Sequence, residues 1–170
     1  MLRGIRALGQ VDPQTVEQAC GIYAASAALF AYSGISFDVS ARLLPLSRQL
    51  ARNLRDELGY RTMAFLHHYL RGDWSDQHII PDELLDEGLR YGVFWEINTY
   101  LGLDCERRIC QGRFTEARGL IARIARIGDE YGYDFVRGNE YFMTAYLHLE
   151  ERNLAAARDA LERYYADRTE

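Results

Sequence analysis

Four glycines set the frame for this chain. Gly72, Gly92, Gly112 and Gly132 stand 20 residues apart, and the next step of 20 lands on Arg152, followed by Asn153. Glycine takes up the left-handed backbone that ends helices at the least steric cost. A break every 20 residues leaves room for helices of about 16–18 residues joined by short turns. Alternate breaks differ in their neighbours. After one kind, Trp74, Phe114 and Leu154 align, as do Gln77, Ala117 and Ala157. The other kind reads Tyr91-Gly92-Val93 and Tyr131-Gly132-Tyr133, and Leu58-Gly59-Tyr60 has the same form. Two helices per unit and a unit of 40 residues follow.

The offset of 40 pairs residues by character. Trp95 meets Phe135, Leu101 meets Tyr141, Leu103 meets Met143, Cys105 meets Ala145 and Ile109 meets Leu149; Ile121 meets Leu161 and Ile124 meets Tyr164. Helices are expected at roughly 13–33, 38–58, 60–71, 75–91, 93–111, 114–131, 134–151 and 154–168, in four antiparallel hairpins. The units are 12–58, 59–91, 92–131 and 132–170 of a single domain. With Gly59 taken as a break, the helix before Gly72 is about two turns short and the first unit is distorted, the extra length of that unit falling near Ile35–Asp38 or in a helix bent near Pro45. Asp12-Pro13 is a helix start, and Val16, Cys20, Tyr23, Ala27, Phe30 and Ala31 form one stripe of the first helix. Residues 1–11 are a tail or the end of a further helix.

Composition narrows the function. The chain is 48% hydrophobic and 26% charged with 3 prolines, a globular profile. Its net charge of −5, with interspersed acids, does not suit nucleic acid. All 20 basic residues are arginine. No stretch is apolar for long enough to span a bilayer. No export signal is evident in the first residues, so a cytoplasmic location is expected. Cys20, Cys105 and Cys110 lack metal spacing and are expected as reduced thiols, with Cys105 a buried packing residue.

Gly112-x-Phe114-x-x-Ala117 is similar to the Gly-x-Tyr-x-x-Ala core of the tetratricopeptide repeat, and Leu154 with Ala157 repeats it without the glycine. Ala117 and Ala157 would let paired helices approach closely. The chain departs from the family in its 40-residue unit, its missing Trp-x-x-Leu-Gly-x-x-Tyr signature and its missing proline after the second helix. These departures resemble the long, degenerate repeats of bacterial transcription regulators and multidomain signalling proteins. The resemblance implies an all-α, right-handed superhelix that binds a protein or peptide in its concave face, as a segment of a larger regulator. Carrying the family's groove positions over from Ala117 and Ala157 gives Thr62, Leu66, Thr99, Gly102, Glu106, Asn139, Phe142 and Tyr146. Leu161, Tyr164 and Tyr165 on the last helix would want a further neighbour, another part of the protein or a second copy of the chain. Homodimerisation is one alternative. A small-molecule sensor lined by Trp95, Tyr100 and Arg108 is another.

Chemistry-bearing clusters read as structure. His67, His68, Asp73, Asp76 and His78 form the best metal candidate. Adjacent histidines diverge on a helix, so only one of the pair could converge with His78 across the turn. The cluster reads as a polar helix end in which Asp73 or Ser75 caps the following helix, and no metal or other cofactor is expected. Asp82, Glu83, Asp86 and Glu87 lie along a solvated flank. No nucleophile elbow or phosphate loop is present, so catalysis is not expected.

Overall fold

A computed structural model describes residues 13–166, and over them the chain is all-helical. The helices are α1 (Val16–Tyr32), α2 (Phe37–Leu50), α3 (Leu54–Leu70), α4 (Asp82–Arg90), α5 (Phe94–Cys110), α6 (Phe114–Tyr131), α7 (Asp134–Glu150) and α8 (Leu154–Ala166), with a 3₁₀ turn at Asp76–His78 before α4. Asp12 and residues 1–11 lie outside the described residues. α1 starts after Thr15, whose side chain accepts the Gln18 N–H. Val16, placed on the packing stripe by its spacing, is exposed, whereas Cys20, Ala27 and Ala31 are buried.

The glycine ladder is a ladder of left-handed residues. Gly72, Gly92, Gly112 and Gly132 all have positive φ, and Arg152, at φ 61°, is the non-glycine residue that shares it. At Gly72 the N–H reaches the Tyr69 carbonyl at 3.0 Å, and the Asp73 N–H reaches that of His68 at 2.9 Å. The same paired bonds recur as Gly92 to Leu89 with Val93 to Gly88, Gly112 to Ile109 with Arg113 to Arg108, and Arg152 to Leu149 with Asn153 to His148. This is the Schellman closure, which satisfies carbonyls that a helix end leaves without partners. Gly132 closes α6 with a single bond to the Gly128 carbonyl at 2.9 Å.

The period runs further toward the N-terminus than the glycines do. α3, α5 and α7 are each 17 residues long and begin at 54, 94 and 134. Gly59 is therefore no break: it lies inside α3, and the boundary expected between 58 and 59 falls within a helix. The break is at Ala51–Asn53, where Asn53 caps α3 by accepting the Asp56 N–H at 2.9 Å. Here an asparagine cap starts the helix with no left-handed glycine before it, and the Leu-Gly-Tyr likeness concealed the break. Pro45 sits within α2 without ending it. The shortened helix is α4, at 9 residues. Pro81 disfavours helical backbone at Ile80 and has no N–H to donate, and the helix starts just after it instead of running on from residue 75. Ile80 instead sits outside any helix, buried, with its N–H donated to the Tyr100 hydroxyl at 3.1 Å.

The chain divides into two compact units between Tyr100 and Leu101. In the first, α1 packs on α2 and α3, and α3 packs on α4. The α1 face is built of small residues, and Ser47 donates its hydroxyl to the Cys20 carbonyl at 3.1 Å across the α1–α2 contact. Gly88 of α4 is a close approach: a methyl group there would lie 2.5 Å from Leu58 Cδ1 and 2.8 Å from Ile97 Cδ1. In the second unit, Cys105, Ile109, Ala117 and Leu147 form a core over which Phe114, Ile121, Met143 and Tyr146 close. Beside it Asp104 and Arg107, both buried, pair through Arg107 Nε and a terminal nitrogen at 2.9 and 2.7 Å. Arg108 donates to the other Asp104 oxygen at 3.1 Å and also to Glu116.

Candidate functional sites

The residues carried over as a binding face separate into two groups. Thr62 and Leu66 are core residues: both are buried, and Thr62 donates its hydroxyl to the Glu96 carbonyl at 3.2 Å. No partner reaches them, which corrects their assignment to a binding surface. The cause is α3 itself. With its start at Leu54 instead of residue 60, more of its circumference is engaged by α1, α2 and α4. Thr99 and Glu106 on α5 are half-buried.

Within the α7 set Phe142 is exposed, while Asn139 and Tyr146 are half-buried. Asn139, Phe142 and Tyr146 follow at intervals of three and four, so they share one helix face. Asn139 lies over Gly102, where an added methyl would be 2.7 Å from its Nδ2. Tyr146 reaches Cys110 at the end of α5, with 3.2 Å between hydroxyl and sulfur. Phe142 is 46% exposed and tilts against Tyr164 of α8, ring centres 4.7 Å apart. Tyr164 in turn meets Tyr165 edge-on at 5.3 Å, and Tyr165 is 65% exposed. Leu161 and Tyr164 are half-buried. Phe142 of the predicted groove set and Tyr164 and Tyr165 of the predicted end-face set thus make one aromatic strip. Sequence offsets could not show this, because the two sets belong to different helices of a pair.

Trp95 and Tyr100 do not share a pocket wall. Trp95 is exposed, and Tyr100 is buried with its ring edge-on to Phe65. Tyr91 and Tyr133, which flank two of the glycine breaks, are exposed as well.

The histidine stretch divides as helix geometry requires. His67 points inward: it is buried, edge-on to Phe37, and its Nδ1 lies 2.8 Å from the Ser40 hydroxyl. His68 points outward across the turn. Asp73 Oδ2 lies 3.1 Å from His68 Nδ1 and 3.0 Å from His78 Nε2. The two imidazoles stack, with centroids 3.5 Å apart and planes 10° from parallel. Asp73 does not cap the next helix as expected; it joins the two rings. Ser75, the other expected cap, precedes the 3₁₀ turn without a side-chain capping bond. Burial, then the neighbouring His78, lowers the His68 pKa. Burial does the same at His67. The hydrogen bond from His78 is the largest cause holding the Asp73 carboxyl down at about 2. At neutral pH the cluster is therefore a carboxylate beside an uncharged His68 imidazole. The three facing atoms lie within 4.8 Å of one another.

The acidic positions Asp82, Glu83, Asp86 and Glu87 are exposed along α4. No helix among the described residues is long and apolar enough to cross a membrane. No family model matches the chain, and neither a curated protein nor a solved structure matches it.

Proposed function

We propose that the chain is a protein-binding scaffold, not a catalyst, in which helix pairs of the tetratricopeptide kind wind into a right-handed superhelix. In this reading it is a segment of a larger cytoplasmic regulator and takes no cofactor for the binding itself. The period of 40 residues across α3, α5 and α7 supports the repeat part of the reading. The observation that carries the binding part is the strip Phe142–Tyr164–Tyr165. Exposed aromatics gathered in one strip supply large apolar contact area at small entropic cost, which is the composition of binding hot spots. Glu106 and Glu150 lie near enough to Tyr146 to act on its hydroxyl electrostatically. Apolar side chains beside Lys or Arg would complement such a surface, so the ligand is a basic, amphipathic peptide or helix.

Selection of displayed random peptides on the immobilised chain tests this. Basic amphipathic peptides should be enriched, and the double substitution Phe142→Ser, Tyr165→Ser should weaken the best of them more than about tenfold. Failure to enrich any sequence, or equal binding by the double variant, overturns the reading.

The exposure of Tyr165 and Leu154 on α8 favours a second reading, in which two copies of the chain bury this strip against each other. Sedimentation over a wide concentration range separates the two. A monomer throughout removes the dimer, and a dimer dissociated by Tyr165→Ser replaces the peptide.

A further inference from the structure

We propose that His68, Asp73 and His78 bind a divalent transition-metal ion, Zn²⁺ being the one their donors suit best. Two imidazole nitrogens and one carboxylate oxygen make a borderline donor set, which selects Zn²⁺ and its first-row neighbours over Ca²⁺ and Mg²⁺.

The spacing is what brings the donors together. His68 is in the last turn of α3, Asp73 is five residues on, and His78, five further, ends the 3₁₀ turn. The Schellman bond from the Asp73 N–H to the His68 carbonyl, 2.9 Å, fixes the carboxylate against the helix end. Trp74 stacks on Tyr69 and donates its indole N–H to the Tyr69 carbonyl at 2.9 Å, which pins the following residues. His67, held by Ser40, supports His68 edge-on at 5.2 Å. The donors thus stand on a closed, braced turn, and a braced turn is what lowers the ordering cost of binding an ion.

The separations fit an ion. Donors about 2.0–2.1 Å from a four-coordinate Zn²⁺ are roughly 3.3 Å from one another, against 3.0 and 3.1 Å for the two histidine–aspartate pairs. One adjustment is required. A lone pair lies in its ring plane, so two stacked rings cannot both point at one ion. Binding must open the angle between the planes from 10° by rotation of one ring about its side-chain bonds. Each imidazole then carries its single proton on the ring nitrogen away from the ion. Side-chain exposures of 28, 41 and 20% for His68, Asp73 and His78 leave the ion reachable, and water completes its coordination.

Calorimetric titration of the whole chain with ZnCl₂ tests the site. One equivalent should bind, and His68→Gln or His78→Gln should each weaken binding by more than about tenfold. His148→Gln should change nothing, because His148 pairs with Glu151 and belongs to no group of three donors among the described residues. Circular dichroism of the metal-free variants checks that each is folded. Histidine ring NMR signals supply a readout of the swing: those of His68 and His78 should move on zinc addition. Absence of binding to the folded chain, equal binding by the double variant His68→Gln, His78→Gln, or a preference for CaCl₂ would overturn the proposal.

Discussion

Arg152 occupies the place that glycine holds at four earlier breaks, and it holds the same left-handed backbone, φ 61°. A side chain there is strained by roughly 1–2 kcal/mol, part of which glycine's larger unfolded-state entropy cancels. Arg152→Gly should raise stability by roughly 0.5–1 kcal/mol, and Gly112→Ala, its mirror experiment, should lower it by more than about 1 kcal/mol. Urea midpoints decide both. His67 gives a pH test at the same scale. Its pKa is lowered in the folded chain, chiefly by burial, while the unfolded value is about 6.5. Below that value the unfolded chain takes up a proton that the folded site resists, so stability holds above about pH 6.5 and falls as the pH drops through it. His68 has the same sign. The groups facing His67 are Ser40, Phe37 and His68, with Arg71 also opposing its charge. His67→Gln should flatten the decline between about pH 7 and 5; an unchanged slope would assign it elsewhere. Arg107 is buried against Asp104. Removing it leaves the buried Asp104 carboxylate with Arg108 alone, so Arg107→Ala should cost about 3 kcal/mol, the low end for a broken buried pair.

Among the elements, α3 and α4 show how far the sequence could be read and where it stopped. From Gly72 onward the breaks were legible, because the left-handed closure there needs glycine or tolerates one strained residue. The start of α3 was hidden, because Asn53 supplies a side-chain cap and leaves no glycine to count. Gly59 then drew the boundary into the helix. That error displaced Thr62 and Leu66 from core to surface, since a helix read as short has fewer neighbours to bury it. That one of the adjacent histidines could converge with His78 was foreseen; which of the two was not. Asp73 stood in that candidate set, but its placement against both rings was hidden, because the spacing acts through the Schellman bond that closes the turn. Substitution separates an interior glycine from a turn glycine. Gly59→Ala meets nothing within 4 Å and should stabilise by roughly 0.5–1 kcal/mol, as alanine does inside a helix. A loss of stability would restore Gly59 as a break. Gly88→Ala meets Leu58 and Ile97, both buried, and should cost about 1–3 kcal/mol.

Over the whole molecule, the 40-residue rhythm gives successive pairs comparable building blocks, and the chain differentiates them by side chain. The first unit is packed through small α1 residues and carries the histidine turn. The second has a sealed core and the aromatic strip. The cysteines divide by burial. Cys20 and Cys105 are buried, and burial raises both thiols, Cys105 to about 12. Cys110 is exposed and touches Tyr146. A thiol reagent should therefore modify one sulfur per native chain and three per unfolded chain, a ratio that direct mass measurement reads. The single open sulfur lies at one end of the α7 face. A fluorophore attached there would sit beside Tyr146 without any engineered cysteine, so the natural chain comes with its own reporting position. Its emission would register the arrival of a peptide, or of a second copy, on the face where Asn139, Phe142 and Tyr146 stand.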